Sequence, residues 1–225
     1  MSTPIYLDIE TPNFFGDAEL AGLPREAQLL AIEFGFAVTW GLPQPPLGEP
    51  LADGAQRADA FRVWRDDVGV DPAPAGHAAE LWDQLLAASL VVGWNIQSFD
   101  LPILFREYIK RVGDVAPRWP RTLDLMDEIK AATGRWYKLD DIARANLGRG
   151  KTADGKQAAG WLRSGELDRA IAYCQEDVQI VRELHAAIVA GGSLVLPPQP
   201  RYKQDQQLRI WFDAAGRWTR YEVQR

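Results

Sequence analysis

The sequence predicts an α/β fold: a mixed central sheet flanked by helices, with a C-terminal β-hairpin. Three observations predict it. Residues 4–9, 29–40 and 61–65 are β-prone runs separated by breaker-rich segments, the pattern of an antiparallel start to a sheet. A short apolar strand then passes through a polar loop into a helix that begins near residue 100, a unit from which α/β folds are built. The longest stretch of helical periodicity, about 165–190, follows these strands.

The first run, Ile5-Tyr6-Leu7-Asp8-Ile9-Glu10, meets Thr11-Pro12. Side chains at i and i+2 of a strand share a face, so Asp8 and Glu10 project together from the strand's end. Two like charges so close repel unless a cation lies between them; the plainer alternative is a strand end with two solvated acids. Residues 12–26 carry the breakers Pro12, Asn13, Gly16 and Gly22 and read as a loop. Phe14 and Phe15 in this loop are core plugs, the favoured reading, or a wall on which a flat ligand stacks. Leu29 to Trp40, with its β-branched and aromatic content, reads as one long strand. Residues 41–58, rich in Gly, Pro and Ala, read as a surface loop. Phe61-Arg62-Val63-Trp64-Arg65 alternates as a third strand.

A Gly/Pro-rich stretch, 69–76, precedes a helix from about His77 to Ala88, with Leu81, Trp82, Leu85 and Leu86 on one face. Leu90-Val91-Val92-Gly93 is a buried strand. The loop Trp94 to Asp100 follows, then a helix started by Asp100 or Ser98 as its cap, with Pro102 in the first turn. Open α/β sheets place their sites at such strand ends. Thr122 to Ile129 reads as a helix, and so does Leu139 to Leu147, ended by Gly148 and Gly150. Gly148-Arg149-Gly150-Lys151-Thr152 resembles half of a phosphate-binding loop. It lacks the required earlier glycine and a preceding strand, so it reads as a flexible basic loop. The last helix, Gly165 to Ala190, buries a stripe that includes Cys174 and His185 as packed residues. Tyr173 and Asp177, four apart, are neighbours on an adjoining face. Beyond the Pro/Gln-rich stretch Pro197 to Asp205, Leu208–Asp213 and Arg217–Val223 flank Ala214-Ala215-Gly216 as a hairpin. The expected organisation is a domain at 1–190, a Pro-rich linker at 191–206 and a hairpin appendage at 207–225.

The chain of 225 residues, 47% hydrophobic and 25% charged, has the composition of an ordinary globular protein. No run approaches the length of a membrane span, and the early strand leaves no room for a signal peptide. Cys174 is the only cysteine, which excludes an intramolecular disulfide. A cytoplasmic location is the expectation. The net charge of −6 excludes a protein coated in basic residues, but the charge is uneven. Residues 1–100 hold 4 Lys/Arg against 15 Asp/Glu, residues 101–163 hold 13 against 8, and residues 164–225 hold 8 of each. The middle segment can present a basic surface to a polyanion; solvated helix faces are the plainer reading of the counts.

Asp8-x-Glu10, Asn95-x-x-x-Phe99-Asp100 and Tyr173-x-x-x-Asp177 occur in this order, each on a suitable element. Over roughly residues 4–190 they resemble the DEDD (DnaQ-like) 3′–5′ exonuclease superfamily, and in particular the proofreading exonuclease domains of family B DNA polymerases and their free-standing relatives. Members that use histidine carry it five residues before the last aspartate, where this chain has Ala172; members that use tyrosine carry it four before, at Tyr173. The chain therefore resembles the tyrosine-type branch, and neither His77 nor His185 is placed to act as the base.

The resemblance implies a ribonuclease H-like fold and two divalent ions, Mg²⁺ or Mn²⁺. It implies that Asp8 bridges both ions, that Glu10 and Asp177 complete the site holding the attacking water, and that Asp100 holds the second ion. Tyr173 would orient the nucleophile; with a phenol pKa of about 10 it suits hydrogen bonding better than proton abstraction. Two ions about 3.5–4 Å apart suit phosphodiester hydrolysis, and hard ions take oxygen ligands. Asn95 is implied to hydrogen-bond the terminal nucleotides, while Phe99 packs into the core. Asp124, Asp127, Asp140 and Asp141 read as caps or surface charges. Arg135, Lys138, Arg149, Lys151 and Lys156 are candidate phosphate contacts. Phe14 is a candidate base contact; Trp136 and Tyr137 either stack on a single-stranded base or pack internally.

The expected function is a 3′–5′ exonuclease acting on single-stranded DNA ends, as a monomer or homodimer, without a membrane and with possible partner proteins in DNA repair or replication. The nearest rival is the same chemistry on RNA, because the discriminating contact is to a 2′-OH. A non-catalytic nucleic-acid-binding module is a rival of another class, against which the complete acid set argues. An aspartyl phosphatase would need Asp or Thr two residues after its nucleophile, where Glu10 stands.

Overall fold

A five-stranded mixed sheet of order β3-β2-β1-β4-β5 carries the site. The computed structural model describes residues 4–15, 17–41, 61–65, 78–113, 115–199 and 206–223. The expected surface loop at 41–58 lies outside these residues apart from Gly41. The Gly/Pro-rich stretch 69–76 and His77 lie wholly outside them.

Strand β1 (Ile5–Glu10) is central, antiparallel to β2 (Phe36–Trp40) and parallel to β4 (Val91–Gly93). Strand β3 (Phe61–Trp64) pairs antiparallel with β2, and β5 (Thr122–Asp124) pairs parallel with β4. The expected antiparallel start is present. Ile5, Leu7 and Ile9 face a core formed with α2 (Ala78–Ala87) and α3 (Asp100–Val112). Tyr6 faces the opposite core, which holds Cys174, Val178 and Val181 of α7 (Leu167–Gly191). The period-2 alternation thus puts Asp8 and Glu10 on the face that α7 covers. Tyr6 Oη lies 2.9 Å from Nδ1 of His185, a packed histidine as expected.

Three expected elements differ. Leu29 to Trp40 is not one strand: helix α1 (Arg25–Ala31) comes first and β2 starts at Phe36. Pro24 and the helix formers after it set α1, which leaves Leu30 71% exposed. Gly35 N donates to Glu10 O at 3.1 Å, and a Cβ on Gly35 would stand 2.6 Å from that oxygen. Thr122 to Ile129 is not all helix: its first residues form β5 before α4 (Leu125–Thr133). Asp124 caps α4 by accepting from the N–H groups of Met126 and Asp127. Neither Asp100 nor Ser98 caps α3; the cap position is Phe99, without a side-chain bond. The Asp100 carboxylate instead accepts from Ile9 N at 3.0 Å.

Helix α5 (Leu139–Leu147) ends at Gly148, which is left-handed with φ 69°. Helix α6 (Gly155–Ser164) has no counterpart in the sequence reading, although Asp154 and Gln157 form a capping box at its start. Gly165, expected within the last helix, is the left-handed cap of α6, and α7 begins at Leu167.

Strand β6 (Ser193–Leu196) lies within the span expected as linker and pairs with β7 (Leu208–Phe212). The expected hairpin is β7 with β8 (Trp218–Val223), so the C-terminal sheet has three antiparallel strands. Leu194, Leu196, Leu208, Ile210 and Phe212 join the core of Leu123, Ile129 and the buried face of α7. Among the described residues, no helix is long and apolar enough to cross a membrane.

Candidate active site

Sheet geometry opens the site. Strands β1 and β4 pair only through Ile5–Val91 and Tyr6–Val92. Past that point the Ile9 amide bonds Asp100 in place of a strand, so the first residue of α3 enters the gap at the end of β1. The turn out of β4 is tight: a Cβ on Gly93 would stand 2.2 Å from Ile96 Cγ2 and 3.0 Å from Leu7 O. Asn95 follows with φ 66°, the only positive φ among the described non-glycine residues. Asp124 holds this turn by accepting from Asn95 N at 2.9 Å and Gln97 N at 3.0 Å. Asp124 is therefore more than a helix cap: one buried carboxylate ties the loop carrying Asn95 to α4.

From the other side α7 brings Tyr173 and Asp177 over the end of β1. Asp8, Glu10, Asp100, Tyr173 and Asp177 line one pocket of about 600 Å³. Phe14, Asn95, Phe99, Lys138, Lys151 and Lys156 line it too. Phe14 and Phe15 divide the two roles considered for them: Phe15 packs edge-on against Phe99 at 5.6 Å, and Phe14 walls the pocket.

Four candidates, Arg135, Trp136, Tyr137 and Arg149, are not among the residues that line this pocket. Arg149 pairs with Glu183 at 2.8 Å; the left-handed turn at Gly148 directs it to α7 and away from the pocket. Trp136 is 40% exposed with the Lys130 ammonium 3.7 Å over its ring. It lines a neighbouring cavity of about 730 Å³ with Tyr137, Arg144, Pro197 and Pro198. Lys138 lines both cavities.

Burial and mutual repulsion govern the charges. Asp8 is pushed up to about 7, by burial first and then by the charge of Asp177, while Lys151 pulls it down. Glu10 and Asp100 stand well above the ordinary carboxylate range, from burial and then from Asp8. Asp177 is raised to about 6 by burial, even though Lys151 and Tyr173 favour its charged form. Burial and then the charges of Asp177, Glu10 and Asp8 push the Tyr173 phenol up. It therefore stays protonated and donates.

Two contacts were not foreseen from sequence. Lys151 Nζ lies 2.5 Å from Asp177 Oδ2, with its side chain 18% exposed, so the segment read as a flexible basic loop delivers a partly buried cation. Cys174 Sγ lies 3.3 Å from Asp8 Oδ2. Asp8, Glu10 and Cys174 offer ligand atoms within 4.8 Å of one another. Burial and the neighbouring acids push the thiol well up, so Cys174 acts as a donor to Asp8, and oxygen ligands for a hard cation come from the acids. The residues fit such a cation: the acids disfavour their joint ionised state, and Asp177 Oδ1 is buried without a hydrogen-bond partner.

The sequence profile of the RNase H superfamily matches residues 70–189. The chain belongs to the RNase H superfamily. The matched span contains Asp100, Tyr173 and Asp177 but not β1. The RNase H-like sheet connects the two parts, because β1 pairs with β4 inside the span and is covered by α7. A search of curated protein sequences found no match.

Proposed function

We propose that this chain is a two-metal-ion 3′–5′ exonuclease of the tyrosine-type DEDD branch, hydrolysing phosphodiester bonds at the 3′ end of single-stranded DNA. The observation that carries the reading is the convergence of Asp8 and Glu10 from β1, Asp100 from α3, and Tyr173 and Asp177 from α7 on one pocket. Asp8, Glu10, Asp100 and Asp177 would hold the two divalent ions, Mg²⁺ or Mn²⁺. Bound there, the ions supply a water-derived nucleophile at neutral pH and offset charge on the leaving oxygen.

The rest of the chemistry belongs to the chain. The Tyr173 hydroxyl, kept protonated by burial and three neighbouring carboxylates, orients the attacking water by hydrogen bonding. Asn95 is aimed by its left-handed backbone, and its Oδ1 is buried without a partner; it receives a donor from the terminal nucleotide. The Phe14 ring gives a base a face to stack on. Lys138 and Lys156 at the pocket wall pair with backbone phosphates. A single strand suits this reading, because a base stacked on the Phe14 ring needs no pairing partner.

The test is hydrolysis of 5′-labelled oligonucleotides, single-stranded and duplex, DNA and RNA, with Mg²⁺ or Mn²⁺. Stepwise shortening of single-stranded DNA from a free 3′ end is expected. Asp8→Ala and Asp177→Ala should each slow it by on the order of a thousandfold or more while the circular dichroism spectrum is retained. Cleavage that persists in chelator, or is undiminished in either variant, overturns the reading. Faster shortening of RNA would move the substrate class and leave the chemistry standing.

A further inference from the structure

The segment between α5 and α6 is built to place one ammonium group among the acids. Lys151 N donates to Asp140 Oδ1 at 2.7 Å. Thr152 donates to Glu176 Oε2 from both its amide, at 2.9 Å, and its hydroxyl, at 2.6 Å. The turn before them is compressed, since a Cβ on Gly150 would stand 2.2 Å from Asp140 Oδ1. Both ends of this short segment are thus anchored, one to α5 and one to α7. The Lys151 side chain places its Nζ 4.7 Å from the centroid of the Tyr173 ring and 2.5 Å from Asp177 Oδ2.

We propose that Lys151 and a divalent cation exclude each other at Asp177, so that Lys151 sets the metal concentration at which the site loads. The inference rests on the reading of these acids as a metal site. An incoming ion needs the carboxylate oxygens of Asp177, one of which the ammonium already holds. A partly buried ammonium beside a divalent ion is repelled more strongly than one in open water. Lysine suits the role because its charge sits at the end of a four-carbon stem with rotatable bonds. The stem can carry the ammonium to the pocket wall, where Lys138 and Lys156 also lie, while the backbone anchors stay in place. The other basic candidate in this segment, Arg149, is occupied by Glu183 and cannot substitute.

The proposal separates two effects that a merely structural lysine would move together. Losing the ammonium should lower the thermal stability of the protein in chelator, because Asp177 and Asp8 lose their nearest positive charge. The same loss should tighten divalent binding. Isothermal titration of the full chain with Mn²⁺, without nucleic acid, compares the wild type with Lys151→Met and Lys151→Arg. An apparent Kd about tenfold tighter in Lys151→Met, with Lys151→Arg near the wild type, is expected. Equal or weaker binding by Lys151→Met, with Mn²⁺ still binding the wild type, overturns this proposal and leaves the proposed function intact. Absence of Mn²⁺ binding in all three overturns both.

A second measurement needs no variant. Acylation of lysines in the wild type, read by peptide mass spectrometry, should label Lys151 more strongly in saturating Mg²⁺ than in chelator. Unchanged or reduced labelling overturns the proposal even if Lys151→Met fails to fold.

Discussion

Tyr173 touches three of the site's acids electrostatically and donates to the fourth participant, the attacking water, in the proposed reaction. Burial and those acids keep its proton on, so Tyr173→Phe removes orientation and leaves the metal ligands in place. A fall of about a hundredfold in kcat with little change in KM is expected from single-turnover and steady-state kinetics. Asp8 carries a pH signature of its own. Its carboxyl is pushed up to about 7 by burial and by Asp177, whereas in the unfolded chain it titrates near its ordinary value. Between about pH 4 and 7 the folded protein therefore holds a proton that the unfolded chain has already shed, so stability falls as pH rises through that window and levels off above it. Calorimetry in chelator should show the melting temperature dropping across that window, and saturating Mg²⁺ should flatten the slope. Divalent affinity runs the other way and rises with pH, because Asp8 and Asp177 must shed their protons to ligate.

At the scale of elements, the turn from β4 into α3 is the part that most constrains the site. Asp124 accepts from Asn95 N and Gln97 N on one side and caps α4 on the other. Asp124→Ala leaves buried donors without partners and should cost about 2 kcal/mol or more in urea unfolding; it should also weaken oligonucleotide binding by loosening Asn95. Gly93→Ala puts a methyl group 2.2 Å from Ile96 Cγ2 and is expected to destabilise by about 1–3 kcal/mol, read from the same unfolding curves. The sequence marked the ends of these elements unevenly. The loop 94–100 is legible because its polar residues follow an apolar strand. Strand β5 is not, because three residues carry no period, and their extended form comes from pairing with β4. Helix α1 is hidden in the sequence because Leu29 and Leu30 suit either state, and the turn that parts it from β2 is set by Gly35 against Glu10.

Across the whole molecule, the C-terminal sheet and the RNase H-like sheet bury one continuous apolar mass around α7. Asn146 bonds both the amide and carbonyl of Val195, Arg217 pairs with Glu128 at 2.5 Å, and a Cβ on Gly216 would stand 2.4 Å from Leu123 Cδ2. Deleting residues 207–225 should therefore expose Leu194, Leu196 and the α7 face and abolish cooperative unfolding in calorimetry. A truncated chain that melts cooperatively near the full-length temperature would show instead that these strands are an appendage.

By itself the sequence determined which acids face together, because strand and helix periods are local: Asp8 with Glu10 at i and i+2, Tyr173 with Asp177 at i and i+4. It also determined the antiparallel start of the sheet and the end of α5 at Gly148. Only the tertiary structure decided that Lys151 meets Asp177, that Asp100 serves Ile9 in place of capping its own helix, and that Asp124 holds the Asn95 turn. Each of these joins residues far apart in the chain, and each partner is chosen by burial, which removes water as the alternative and leaves the nearest opposite charge or donor.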